Sequence, residues 1–211
     1  MSEIALFGVG SALASEYEET CRRLGRAIAV GVRNRPGPVY VHGCRIADAE
    51  SLTQADRAVP CLCPLFTPRN RCTAAGEAAS LGFAFAEALI DPTAVVASSA
   101  TAGRGTFVNA GCIVGAHAAL GEHVVLNRGA SVGHHVRIEA FVSVGPGVVI
   151  AGLVTVETGA MIGAGAVVLP KVRIGAESVV GAGSVVVRDV PPGAKVLGNP
   201  ARLAAAVLAE R

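Results

Sequence analysis

The segment NRGASVGHHVRIEAFVSVGPGVVI, Asn127 to Ile150, divides into four sixes: NRGASV, GHHVRI, EAFVSV and GPGVVI. Each ends on Val or Ile, with Ala or Val two residues earlier. That spacing is neither a helix period nor a strand period. The frame extends without insertion over sixteen consecutive sixes, from Asp91 to Val186. The sixth position is Val, Ile or Leu in fifteen of the sixteen, Ala102 being the exception. A repeat this regular is one short strand plus one tight turn, copied. The sixth side chain points inward, and so does the fourth, which stays small because the interior is narrow. Gly or Asn often opens the next six, where the chain bends sharply and positive φ is expected. Three sixes close one triangular coil, and coils stack as parallel strands about 4.8 Å apart. Sixteen units make roughly five coils of parallel β-helix. Residues eighteen apart then share a face, one coil above the other. His134 lies under Gly152, and His135 lies over His117.

Composition narrows the function classes. Of 211 residues, 52% are hydrophobic and 16% charged, with a net charge of +2. The core can be large, and no strong field for nucleic acid is present. Aromatics are 4%, without tryptophan, so no base-stacking surface is expected and no nucleic-acid partner is assigned. The long uncharged run 140–156 contains Gly145, Pro146, Gly147 and Gly152, so it is not read as a membrane span. The start, MSEIALFGVGS, has an acidic residue and no basic segment, unlike a secretory signal. A cytoplasmic location is expected. The six cysteines are then reduced, and Cys61 and Cys63 are small buried residues of a strand rather than metal ligands.

Residues 1–90 lack the repeat. EIALFGVGS reads as a strand and a glycine turn, LASEYEETCRRLG as a helix ending at Gly25, and RAIAVGV as a second strand. GPVYVHG reads as a short third strand, RAVPCLCPLF as another, and TPRNRCTAAGEAASLG as a helix ended by Gly82. FAFAEALI is a last strand before the repeat. Alternating strands and helices predict a small parallel α/β domain. Its glycine turn, with Gly8, Gly10 and Ser11, is either an anion site at a helix start or a tight strand-to-helix connection. After the repeat, residues 191–211 form a tail. Pro191, Pro192 and Gly193 break the frame, and ARLAAAVLAE is expected to be a helix covering the last coil's edge.

The phrases LIDPTAVV, LNRGASVGHHVRI, GAMIGAGAVVLPKVRIG and VVGAGSVVVRDVPPGAKVLGNPAR resemble the sialic-acid and sugar-nucleotide acetyltransferase family. That family includes the bacillosamine and perosamine N-acetyltransferases. The resemblance implies a Rossmann-like nucleotide-sugar-binding domain over 1–90 and a left-handed β-helix over 91–190. It further implies a homotrimer with active sites between subunits, and transfer of acetyl from acetyl-CoA to a sugar. It assigns His134 as general base, Gly152 as the backbone donor to the thioester oxygen, and Ala164 and Ala182 to the pantetheine channel. Asn127 and the Gly8, Gly10 and Ser11 turn fall on the substrate side. The chemistry suits these residues, because a histidine titrates near neutrality and a backbone N–H can hold an oxyanion.

Three departures stand out. His135 replaces the family's acidic residue after the base, and can orient His134 only as a neutral acceptor. Ser143 stands where a second histidine is usual and could still donate to the cofactor. VGSALAS replaces the usual G-H-G fingerprint, and CPLFTPRNR replaces the later I-G-x-N. Other readings stay open at this level. The acceptor is an amine or a hydroxyl, or the chain is a non-catalytic trimeric scaffold. His117 and His135 would hold zinc if His123 faced them, since a zinc site needs three protein ligands. Arg69 and Arg71 either meet a phosphate or start a solvated helix. Cys112, at an inward fourth position, is a poor nucleophile. Arg128, Arg137 and Arg202 are solvated or meet CoA phosphates.

Overall fold

The computed structural model describes residues 3–204. From Leu89 to Val186 two-residue strands recur every six residues and pair in parallel in three sheets. One sheet carries Leu89–Ile90, Phe107–Val108, Val125–Leu126, Ser143–Val144, Met161–Ile162 and Val179–Val180; its outer face meets the N-terminal unit, and we call it the covered face. A second, the apolar face, carries Val95–Val96, Ile113–Val114, Ser131–Val132, Val149–Ile150, Val167–Val168 and Val185–Val186. The third, the polar face, carries Thr101–Ala102, Ala119–Leu120, Arg137–Ile138, Thr155–Val156 and Arg173–Ile174. Partners among these strands lie eighteen residues apart, as in Ser131 with Val149 and Ser143 with Met161. This is the register the period predicts. Fourth and sixth side chains fill the interior: Val136, Ile138, Val142 and Val144 are all buried in one continuous core.

The turns differ from expectation in where strain falls. Positive φ is found at the third position of the six, in glycines such as Gly129 and Gly147 but also in His117, His123, His135, Phe141 and Leu153. The glycines of the first position are needed for another reason. A Cβ on Gly133 would come within 2.7 Å of the Gly152 nitrogen in the next coil. Only hydrogen fits between stacked peptide planes at that point.

The N-terminal unit is a four-stranded parallel sheet. Its strands are β1 (Ile4–Phe7), β2 (Ile28–Arg33), β3 (Arg45–Asp48) and β4 (Cys61–Leu62), ordered β3-β2-β1-β4. Helix α1 (Ala14–Arg23) follows β1; Ala14, Tyr17 and Cys21 pack with Leu6, Phe107 and Val125 between the sheet and the covered face. Helix α3 (Pro68–Ser80) covers the opposite side through Ala74, Ala75 and Ala78. The predicted strand over 37–43 is instead a loop; its Tyr40 N–H reaches back to the Val9 carbonyl, 3.0 Å. The third strand is Arg45–Asp48, a polar edge strand pinned by Arg33 to Asp48 at 2.7 Å. A short helix, α2 (Gln54–Ala58), was not anticipated, although Thr53 and Asp56 form a capping box that SLTQAD spells out.

Arg71 joins the two units. It is neither solvated nor on a phosphate but fully buried (0% exposed). Its guanidinium donates to the carbonyls of Leu65 (2.6 Å), Phe66 (2.9 Å), His123 (2.8 Å), Phe141 (2.9 Å) and Val142 (3.1 Å), and to Ser143 Oγ (3.0 Å). Burial pulls its pKa down to about 10, so it stays charged. Only the planar five-donor fork of arginine can satisfy acceptors on both units at once. Tyr17 stacked on Phe107, with centroids 3.8 Å apart, and Asp91 bonded to Thr20 (2.9 Å) and Arg23 (3.0 Å) complete the seam.

At the far end, the expected terminal helix over 201–210 falls mostly outside the described residues. Within them, Arg202–Leu203 is a strand paired antiparallel with Lys195–Leu197. The last parallel edge is therefore capped by a strand. Among the described residues no helix is long and apolar enough to cross a membrane.

Candidate active site

His134 sits on the turn between the apolar and polar faces, exposed, with its imidazole against Gly152 of the next coil. A Cβ built on Gly152 would lie 2.6 Å from His134 Nε2 and 2.7 Å from Cε1. The backbone here is held from both sides. The Leu153 N–H donates to the His134 carbonyl (3.0 Å), and the His135 N–H donates to that of Ala116 (2.9 Å). The Gly152 carbonyl accepts from the Lys171 N–H (3.1 Å), while among the described residues its own N–H has no acceptor. Nδ1 of His134 lies 3.1 Å from Nδ1 of His135. The His135 ring rests on that of His117, centroids 4.9 Å apart. An exposed imidazole and an uncommitted main-chain donor thus share one ledge.

Not every anticipated residue joins them. Ser143 is fully buried in the interdomain seam, taking a hydrogen bond from Arg71 and giving one to the Phe66 carbonyl. It has no free surface for a cofactor. Asn127 stands at the edge between covered and apolar faces. Its Oδ1 accepts from Asn109 Nδ2 (3.1 Å) and the Arg128 N–H (2.8 Å), in a ladder continued by Glu16 of α1. Arg128 is ion-paired to that same Glu16. Ala164 and Ala182 follow Gly163 and Gly181 on this edge too, at the opposite border of the apolar face from His134. Cys112 is buried inward as expected, its Sγ 3.1 Å from the Asn127 carbonyl. Cys61 and Cys63 are both buried in the N-terminal core.

His123 does not face His117 and His135. It occupies the border of the polar and covered faces, stacked on Phe141 (4.8 Å, 8°) and edge-on to Phe85 (4.4 Å), only 3% exposed. Its Nδ1 is buried without a partner among the described residues. Burial, and secondarily the nearby Arg71 charge, lower its pKa to about 4. A folded value below the unfolded one, about 6.5, means that acid favours the unfolded chain. Stability is therefore expected to fall as pH drops from about 6.5 towards 4, by up to about 1.4 kcal/mol per unit. Urea unfolding at pH 7 and 5 reads this loss. His123→Phe, which cannot titrate, should flatten the curve in that window.

Gly8, Gly10 and Ser11 do come together, in a cleft of about 360 Å³ at the carboxyl ends of β1, β2 and β4. The loop from Asn34 to Pro38 and the segment around Leu65, Phe66, Thr67 and Asn70 form the rest of its wall. Gly8 is favoured by its φ of +93°, which strains any side chain; a Cβ would also meet Leu65 Cδ1 at 2.8 Å, so that the leucine would have to shift. The strand order reverses between β1 and β4, and crevices at such reversals are where open parallel sheets take ligands. The first turn of α3, whose Thr67 side chain makes no capping bond, opens here. Asn34 and Arg35 are tied to Glu77. Leu65, Phe66, Thr67 and Asn70 belong to the CPLFTPRNR segment that stands in place of I-G-x-N, whereas Asn34 carries no motif of its own.

Stacked six-residue coils, a histidine on an open turn and a separate parallel α/β unit define a hexapeptide-repeat transferase. Residues 153–188 match the family described as bacterial transferase hexapeptide (six repeats). Among solved structures, PerB from Caulobacter crescentus, in complex with CoA and GDP-perosamine, is 31% identical with a TM-score of 0.86, over 96% of this chain and 97% of that one. The acetyltransferase domain of PglB from Neisseria gonorrhoeae, in complex with acetyl coenzyme A, is 30% identical with a TM-score of 0.85, over 95% and 98%. WeeI from Acinetobacter baumannii shares the fold, at 21% identity and a TM-score of 0.82 over 96% and 100%. No curated protein sequence matches the chain. The chain belongs to the hexapeptide-repeat sugar acetyltransferases, the family of perosamine N-acetyltransferase and the PglB acetyltransferase domain.

Proposed function

We propose that this protein transfers the acetyl group of acetyl-CoA to an amino group of a nucleotide-linked deoxysugar, with His134 as general base. The observation that carries this reading is the His134 imidazole packed on Gly152, whose N–H is uncommitted. The amine attacks the thioester carbon and gives its proton to Nε2 of His134. The Gly152 N–H holds the oxyanion, which collapses with cleavage of the C–S bond, and the imidazolium returns the proton to the departing CoA sulfur. Each part matches what acyl transfer needs. The relatives bound to CoA and GDP-perosamine favour an amine acceptor.

The cleft around Gly8, Gly10 and Ser11 would take the nucleotide, with its diphosphate at the α3 N-terminus. This gives residues 1–90 the role of a Rossmann-like acceptor-binding domain and 91–190, wound left-handed, that of the acyltransferase. Residues 191–211 close the end.

The assembly we propose is a homotrimer in the cytoplasm. Outward side chains of the apolar face are left bare in one chain, with Val95 67%, Ile113 51% and Val149 44% exposed. Ala164 and Ala182 lie across that face from His134, so they can line a shared acetyl-CoA groove only if a second chain brings its own edge. The test is release of free thiol from acetyl-CoA on adding GDP-perosamine or a related amino sugar nucleotide, with mass spectrometry of the product. One acetyl gained on nitrogen is the expected result. Acetylation only of hydroxyl acceptors would shift the reading to O-transfer. No turnover and no thermal stabilisation by millimolar acetyl-CoA would leave a scaffold.

A further inference from the structure

We infer that His135 is a positioning residue that sets the tautomer of His134 as a neutral acceptor, a role resting on His134 being the base. The two Nδ1 atoms are 3.1 Å apart, so a single proton lies between them. Which ring owns it decides whether the site works. When His134 donates from Nδ1, its Nε2 carries the lone pair and faces Gly152, ready to accept the amine proton. When His135 donates, as it must once protonated, His134 is forced to carry its hydrogen on Nε2 and cannot act as base. The partner's hydrogen bond chooses the tautomer of an imidazole. A carboxylate accepts under all working conditions; a histidine accepts only while neutral.

The surroundings hold the His135 ring in place. Its backbone is fixed at φ 57°, tied to Ala116, and its ring is backed by His117 at 4.9 Å. Among the described residues, the His134 and His117 rings are the ionisable groups packed against it. The following coil contributes Gly152 and Leu153, which carry no charge, and Arg137 is exposed on the polar face.

Three substitutions separate this role from a structural one. Asn places Oδ1 where His has Nδ1 and tolerates positive φ, so His135→Asn should keep turnover within about threefold. His135→Leu has no acceptor and should lose at least about tenfold in kcat, with KM for acetyl-CoA unchanged, since tautomer control is worth that much or more. His135→Asp restores an acceptor but adds a charge that stabilises the imidazolium. It should move the acid limb of the kcat/KM profile up by about one pH unit or more. Asn as poor as Leu, or an acid limb that stays put in Asp, overturns the inference. Failure of the base assignment reads separately, as full turnover in His134→Ala.

Discussion

His134→Ala is expected to lower kcat at least about a hundredfold, the usual worth of a positioned general base. The affinity for acetyl-CoA should be unchanged. The side chain is exposed on a turn and takes no part in the core, so folding should be preserved. The backbone bonds that stack this turn, from Leu153 to the His134 carbonyl and from His135 to Ala116, are indifferent to the side chain. What is lost is the acceptor for the amine proton in the transition state, which affects kcat and kcat/KM alike. The Gly152 N–H remains, and residual turnover should reflect oxyanion stabilisation and proximity alone. Thiol release measures the rate, and the thermal shift with acetyl-CoA measures binding in the same variant. Normal turnover would remove His134 from the base role.

Much of this arrangement is written locally in the chain. A six-residue unit specifies its own turn, and an unbroken run of them specifies the stack, so His134 under Gly152 and His135 over His117 followed by counting. The same counting places Ala164 and Ala182 elsewhere. They are thirty and forty-eight residues from His134, multiples of six but not of eighteen, and so share its phase within the repeat without sharing its edge. What counting cannot reach is contact between units. Nothing near Arg71 or Ser143 in the chain says that a helix start will meet the covered face, yet that meeting buries both. The polar strand Arg45–Asp48 was hidden for another reason. An edge strand half in water loses the apolar signature that the neighbouring loop at 37–43 happens to display. The apolar face, in contrast, is legible in its fifth positions, Val95, Ile113, Val149, Val167 and Val185, interrupted by Ser131.

Gly152→Ala tests the same ledge from the other side. Gly152 is not in the left-handed region, unlike Gly8 at φ +93°, so alanine costs its backbone little. The new Cβ would stand 2.6 Å from His134 Nε2, 2.7 Å from Cε1 and 3.1 Å from Cδ2, all inside contact distance. Carbon atoms pack at about 3.5 to 4.0 Å, so something must move by about an ångström. The Gly152 carbonyl is tied to Lys171 and the turn beside it to His134's own carbonyl, whereas the imidazole has solvent around it. The ring is what yields. A displacement of that size at a reacting group costs about a hundredfold, with the melting temperature nearly unchanged and the oxyanion donor still present. The kinetic split identifies what occupies the space. A fall in kcat at constant KM for acetyl-CoA marks displacement of the base. A rise in KM at constant kcat would mean that the methyl blocks the thioester and that the imidazole swings clear, which would separate the base from the donor the period stacks above it.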